Sequence, residues 1–426
     1  MGGILNFISE HDESKSVLET RLYNGAKYSI FQSSAILDFL YHNIENEDIS
    51  ITYNYVAKPN ASNIFLIECQ RELRDIICEP DYIIELYTRY KDNLNVKFLV
   101  TSISEATPYI DLFENEFLSF CETNNINSNK FIFVDSNYKI NDLKKIKHYF
   151  IPHFIYDGAW FLKTIIDSSD SHFNELNYKP SIPSEFETKN NVNRQYHIIS
   201  LNRSNWKIHR TLLGCYFNQI KSDKLLWSFL NKPNQVHKTN SSGKMDYYQE
   251  STTYLRELFE NNISELDSLW PKEIDTQLVD DKFSFRTSDT FNKKNSLTAY
   301  FDLVTESCFI NDQIFFTEKI VKPITNLHPF IVVSTKGYLY NLKKLGFKTF
   351  DTIFDESYDD IEDNFERLEF IIRQVDSLLN KSTDEIQQMY NSVLDICLYN
   401  RNVLYTKYSK KNEHIYNLLK EVEIKW

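Results

Sequence analysis

Two stretches carry residues whose types and spacing suit ligand chemistry. "SLNRSNWKIHR" sets Arg203, Lys207 and Arg210 just after a strand-like run, on the first turns of a helix. "TESCFINDQIFFTEKIVKP" sets Glu306 at a second strand end. Twelve residues later Glu318 and Lys319 open another helix, with Thr317 placed to cap it. The free N–H groups of such a helix start carry partial positive charge. A carboxylate beside a lysine suits a ligand with both hydroxyls and phosphates. The carboxylate accepts from sugar hydroxyls, and the ammonium and guanidinium groups neutralise a diphosphate. Lys322, one turn on, either reaches those phosphates or faces water. Each feature also has a plainer reading. Glu-Lys pairs at helix starts ordinarily serve the helix dipole and solubility, and helix surfaces carry cations routinely. "HPFIVVS" reads as a core strand, and "DESYDDIED" (Asp355–Asp363) as a solvated acidic cap and not a metal site. The specificity lies in coincidence: cations and carboxylates recur at matching positions of consecutive strand–helix units.

The elements that must position these residues are legible as alternation. "NIFLIE" (Asn63–Glu68), "VKFLVTS" (Val96–Ser102) and "KFIFVDS" (Lys130–Ser136) are short, branched and aromatic runs that read as buried strands. Between them "PDYIIELYTRYKDN" and "PYIDLFENEFLSFCETNN" carry apolar residues at helical spacing, with proline near each start. Strand–helix–strand at this spacing predicts right-handed crossovers and a parallel sheet, closed by "KHYFIPHFIYDGAWFL" (Lys147–Leu162). A polar stretch with Pro180 and Pro183 reads as a linker. A second alternation follows: strands at "YHIISLN", "LLWSFLN", "TAYFDLVTES", "HPFIVVS" and "KTFDTIF", and helices at "WKIHRTLLGCYFNQI", "YYQESTTYLRELFENN", "TEKIVKPITN" and "GYLYNLKKLG". Asn231–Asp246 reads as a mobile loop, and "STDE" (Ser382–Glu385) has the form of a capping box in a helical tail. The expected fold class is α/β: two Rossmann-like domains, each with a parallel sheet, facing a central cleft. Residues 1–180 form the first domain, 181–195 the linker, 196–395 the second domain and 396–426 the helical tail.

Composition narrows the classes. A chain of 426 residues exceeds one ordinary core, and 42% apolar with 15% aromatic residues is ample for two. A formal charge of −13 argues against a general nucleic-acid binder. No apolar window is long enough to cross a membrane, and "MGGILNFISEHDESK" lacks the features of a secretory signal. Six scattered cysteines without a C-x-x-C pair point to reduced thiols and a cytoplasmic setting, and against structural zinc. Richness in Asn, Ile, Lys and Tyr fits an AT-rich viral or bacterial genome. With only 8 glycines, no G-x-G-x-x-G follows a strand and no P-loop is present. Bound phosphates must therefore meet side-chain cations and helix N-termini.

"YFDLVTESCFINDQIFFTEKIVKPITNLHPFIVV" resembles the donor-binding region of the α1,3-fucosyltransferase family, and "SLNRSNWKIHR" is similar to the stretch that opens the same domain there. The segment also resembles phage and bacterial glycosyltransferase-like proteins carrying TEK-x-x-KP and GF-[KE]-TF. The resemblance spans Tyr196 to Asp359 and is sharpest over Phe301 to Phe350. It implies a GT-B fold and an inverting transfer with no obligatory metal or other cofactor, a nucleoside-diphosphate sugar (GDP-sugar favoured) serving as co-substrate. It implies that Arg210 meets the diphosphate, Glu318 holds the donor, Lys319 binds phosphate and Glu306 matches the family's Glu-Asn-Ser glutamate. Two departures touch the donor: Phe315 stands where the family has tyrosine, and Thr305-Glu306-Ser307 replaces Phe-Glu-Asn.

An inverting reaction needs a carboxylate to deprotonate the acceptor hydroxyl. Glu68, Asp135 and Asp157 are the candidates in the N-terminal region, Glu68 sitting best after "NIFLI". The acceptor is a glycan, a protein or a modified DNA base. The rival outside enzymology is a catalytically inactive GT-B-like binding protein, which has no need of Arg210, Glu318 and Lys319 together. A metal-dependent GT-A enzyme ranks last, since "KFIFVDSN" offers Asp135 without Asp-x-Asp.

Overall fold

Branched and aromatic runs such as "FIFVD" and "FIVV" form strands because both of their faces are covered, and in the computed structural model every residue of these two is buried. The structure describes residues 3–8, 49–54, 62–69, 72–78, 80–102, 106–167, 182–190, 194–202, 207–229, 251–268 and 297–409. The chain divides into two compact units. The first comprises Met1–His153, Gln313–Phe315 and Lys410–Trp426, and the second Phe154–Asp312 and Phe316–Ser409.

In the first unit six strands, β1 (Gly3–Ile8), β2 (Ile49–Asn54), β3 (Ser62–Glu68), β4 (Val96–Ser102), β5 (Phe131–Asp135) and β6 (Lys147–Phe150), form one sheet in the order β2-β1-β3-β4-β5-β6. Every pairing is parallel. Helices α1 (Asp75–Cys78), α2 (Pro80–Tyr90) and α3 (Ile110–Thr123) supply the crossovers described between β3 and β5. An aromatic core forms where α3 lies on the sheet: Phe117 meets Phe133 edge-on at 4.7 Å, and Phe98 stacks on Phe131 at 4.8 Å. At the end of β5, Asp135 accepts from the Thr107 N–H and hydroxyl and from the Asn137 N–H. Asn137 in turn holds Gln313–Phe315, accepting from the Ile314 N–H at 3.0 Å and bridging to Phe315.

The second unit opens with α4 (His153–Asp167), all but its first residue, and α5 (Glu185–Asn190). β7 (Tyr196–Asn202), α6 (Ile208–Ile220), β8 (Leu225–Phe229), α7 (Thr253–Ser268) and β9 (Ala299–Thr305) follow, then α8 (Glu318–Asn326), β10 (Phe330–Val333) and α9 (Tyr338–Lys344). The chain continues through α10 (Asn364–Asn380), α11 (Thr383–Ser392) and α12 (Leu394–Val403). The sheet order is β10-β9-β7-β8, again parallel throughout. Both sheets thus share one plan, in which the second strand lies on one side of the first and the later strands on the other. The order reverses between β1 and β3 in one sheet and between β7 and β9 in the other. Among the described residues no helix is long and apolar enough to cross a membrane.

Several expectations are corrected. "KTFDTIF" forms turns and no strand. Its backbone is satisfied locally: the Lys348 N–H donates to Asn400, the Phe350 N–H to Glu356 Oε1, and the Phe354 N–H to the Phe350 carbonyl. Phe350 meanwhile packs edge-on against Phe330 in the core. The stretch read as linker contains α5, which Ser184 and Glu187 cap reciprocally. The main division of the chain between the two units falls at His153/Phe154, and α4 packs within the second unit. A Cβ on Gly158 would collide with the Val321 side chain of α8, and the Tyr156 and Tyr408 rings lie 5.4 Å apart. The acidic run 355–363 is largely solvated, as expected: Asp355, Asp360, Glu362 and Asp363 are exposed and Asp359 is buried. Asp355, Asp359 and Asp363 each accept backbone N–H bonds at turns or helix starts. The capping box at Ser382 and Glu385 forms as expected. The loop expected at Asn231–Asp246 lies outside the described residues.

Candidate functional site

Open parallel sheets bind ligands beyond the carboxyl ends of their strands, where the strand order reverses. In the second unit that place is the pair of ends at Asn202 (β7) and Thr305 (β9), whose side chains hydrogen-bond to each other. The residues singled out from sequence gather around the next residue, Glu306.

Glu306 is fully buried, and protein donors occupy both carboxylate oxygens. Oε1 accepts from the Thr317 N–H at 3.2 Å and the Tyr338 hydroxyl at 2.7 Å. Oε2 accepts from the Thr317 hydroxyl at 2.5 Å and the Ser307 N–H at 3.3 Å. Four bonds match what a carboxylate can accept, so Glu306 ties β9 to the starts of α8 and α9 and has no lone pair left for a ligand. Its carbonyl accepts from His209 Nε2 at 3.0 Å and Arg210 Nη2 at 3.1 Å, both on α6. Burial, reinforced by the charges of Arg210 and Lys207, holds His209 well below its usual range, so it is neutral and its Nε2–H donates. Sequence inspection passed over His209 and Tyr338 because their partners are distant along the chain.

Arg210 is 5% exposed and also donates to the Thr305 carbonyl at 3.1 Å. Burial depresses its pKa, with Glu306 and Glu318 acting the other way. Its guanidinium braces the strand end while adding positive charge beneath the site. Lys207 is the N-cap residue of α6 and donates to the Ser307 carbonyl. Arg203 lies outside the described residues.

At the start of α8, Thr317 behaves as the cap predicted, its hydroxyl oxygen accepting from the Lys319 N–H at 3.2 Å. Lys319 Nζ contacts Glu318 Oε1 at 2.9 Å, Thr317 Oγ1 at 3.1 Å and Ser307 Oγ at 3.3 Å. The side chains of Lys319 and Glu318 are 23% and 12% exposed, so the pair reaches water without being free in it. Burial works to raise the Glu318 carboxyl, but the Lys319 ammonium and its hydrogen bond, then Lys322, outweigh it and hold the group at about 2. The site thus brings together Lys207, Arg210, Glu306, Thr317, Glu318, Lys319 and Lys322, with cations in excess over the two carboxylates.

Other expected residues lie elsewhere. Phe315 is buried and belongs to the first unit. Asp157 is on α4, within the second unit and not at a strand end of the first. Glu68 ends β3, in register with Thr101 of β4. Asp135 is wholly buried under its three donors, which leaves it a structural strut. Burial pushes its carboxyl up to about 7, against the hydrogen bonds from Thr107 and Asn137.

No family model matches the chain, and no curated protein matches it. Solved structures similar to it include one described as trehalose-6-phosphate from E. coli bound with UDP-2-fluoro glucose. It shares 11% identity over 99% of both chains, with a TM-score of 0.40. An OtsA apo structure shares 9% identity over 100% of both chains, also with a TM-score of 0.40. At these values the likeness carries no weight for chemistry, which rests on the residues themselves.

Proposed function

We propose that this chain is a glycosyltransferase of GT-B type that moves a sugar from a nucleoside-diphosphate donor to an acceptor hydroxyl. The observation that carries the reading is the convergence of Lys207, Arg210, Glu318 and Lys319 where the strand order reverses, beside the N-terminus of α8. Helix N–H groups and fixed cations suit a diphosphate. Glu318, kept ionised beside Lys319, suits the hydroxyls of a ribose or sugar. When the glycosidic bond breaks, negative charge grows on the leaving diphosphate, and pre-placed cations stabilise it more as the transition state is approached.

The fucosyltransferase-like motif supports an inverting transfer without an obligatory metal and favours a GDP-sugar. Phe315 and Thr305-Glu306-Ser307 depart from that motif at positions that touch the donor. Glu68, at the carboxyl end of β3, is the base we favour over Asp135, which is consumed by its three donors, and over Asp157, which sits on a helix of the other unit. A glycan, a protein or a modified DNA base serves as acceptor.

The test is release of nucleoside diphosphate from GDP-, UDP-, CDP-, ADP- and TDP-sugars. Slow hydrolysis of one donor, abolished in Lys319→Ala, supports the reading. Absence of release from every donor, together with absence of binding, moves the inactive binding-protein alternative to the front.

A further inference from the structure

Of the side chains that donate to the Glu306 carboxylate, the Tyr338 hydroxyl is the most distant in sequence, 32 residues away, and it comes from an element that carries none of the expected ligand groups. Tyr338 opens α9, whose start is fixed independently: the Leu339 and Tyr340 N–H groups both donate to Asp359 at 3.0 Å. The Gly337 N–H donates to the Asp359 carbonyl at 2.8 Å. Gly337 takes φ 76, a backbone region that glycine enters without strain. The Tyr338 ring is buried against Phe316 at 4.9 Å, which aims its hydroxyl at Glu306 Oε1. The same oxygen receives the Thr317 N–H, and the other oxygen receives the Thr317 hydroxyl. Thr317 then holds the Lys319 N–H and ammonium. An unbroken chain of hydrogen bonds thus runs from α9 to the cation at the head of α8.

We infer that Tyr338 is a positioning residue for donor binding. Through Glu306 and Thr317 it fixes where Lys319 and the first N–H groups of α8 meet the diphosphate. The inference rests on the donor-site reading for its ligand but not for its geometry. A carboxylate held by three donors keeps more rotational freedom than one held by four, so losing the tyrosine hydroxyl loosens the cap and blurs the placement of Lys319.

The experiment compares wild type, Tyr338→Phe, Glu306→Gln and the double variant by calorimetric titration with GDP and UDP, and by amide hydrogen exchange without ligand. Tyr338→Phe is expected to raise the Kd of whichever nucleotide binds by about tenfold, the scale of one hydrogen bond to a charged group. It should add less in the Glu306→Gln background, since the amide nitrogen cannot accept from the Thr317 hydroxyl or the Ser307 N–H and the link from Tyr338 to the cap is already weakened there. Exchange is expected to quicken selectively at the Thr317 and Lys319 amides. Wild-type affinity with unchanged protection at these two amides overturns the inference. So does a uniform loss of protection over the whole second sheet, which marks a stability role only. If wild type binds neither nucleotide, the donor-site reading fails, and the exchange comparison still decides whether Tyr338 sets the cap.

Discussion

Lys319 sits at the meeting point of Glu318, Thr317 and Ser307, and this crowding separates a ligand role from ordinary surface chemistry. A solvated lysine on a helix gains about 1 kcal/mol or less from one carboxylate. Lys319, part-buried with Glu318, is not such a residue: Lys319→Ala leaves the Glu318 carboxylate without its counter-charge and should lower the unfolding midpoint near neutral pH, and it should also weaken nucleoside-diphosphate binding by tenfold or more, the range of a charge-assisted bond. Paired thermal melts and titrations read the two effects apart. Glu318 gives a pH signature at the same scale. Its folded pKa of about 2 lies below its ordinary 4.5, so its contribution to stability is full above about pH 4.5 and is lost as pH falls through about 2. In Lys319→Ala that loss should begin at higher pH, as urea unfolding between pH 2 and 6 would register. Unchanged acid limbs in the two proteins would break the assignment of Lys319 as the stabilising charge.

At the scale of elements, helix α8 is positioned from two sides, by its cap and by its packing. Gly158→Ala tests the packing. An alanine inside a helix normally gains up to about 1 kcal/mol over glycine. Here the new methyl would strike Val321, a stiff branched side chain buried in α8, so we expect net destabilisation of about 1–3 kcal/mol by denaturant unfolding. A stabilised variant would mean that α4 and α8 do not pack closely. What the sequence disclosed at this scale followed from period and punctuation. The runs ending at Glu68, Ser102 and Asn202, the Thr317 cap and the Ser382 box were all readable locally, and the run read as Thr298–Ser307 forms β9 up to Thr305. The misses are contextual. β1 and β2 lie outside the strand–helix alternation that marked the other strands, so they were passed over. "KTFDTIF" has strand composition, but side chains of Asn400 and Glu356 claim its backbone in place of a neighbouring strand. The strand-end position of Glu306 was legible, whereas its burial under Tyr338, 32 residues away, was not. That distance explains why a group first expected to touch ligand proves to be spent within the protein.

At the scale of the whole molecule, two parallel sheets repeat one strand order, and each unit holds a carboxylate in a different state, Glu318 at the start of α8 and Asp135 at the end of β5. In the second unit Glu318 is held ionised. In the first, Asp135 is pushed up to about 7 by burial. A carboxyl raised from an ordinary 3.8 stabilises the fold fully below about pH 4, and that contribution is lost as pH rises through about 7. The slope is about 1.4 kcal/mol per pH unit across the window. Asp135→Asn should flatten this part of the stability profile between pH 4 and 7.5, measured by chemical denaturation, and an unaltered slope would show that another group titrates. The central claim is that the carboxyl ends of β7 and β9 hold a nucleoside diphosphate. Its most direct test is isothermal titration of wild type and Lys319→Ala with GDP and UDP at moderate ionic strength. The account predicts that at least one nucleotide binds wild type and that Lys319→Ala weakens it tenfold or more. Binding of equal strength in the two proteins, or none to wild type, would contradict it.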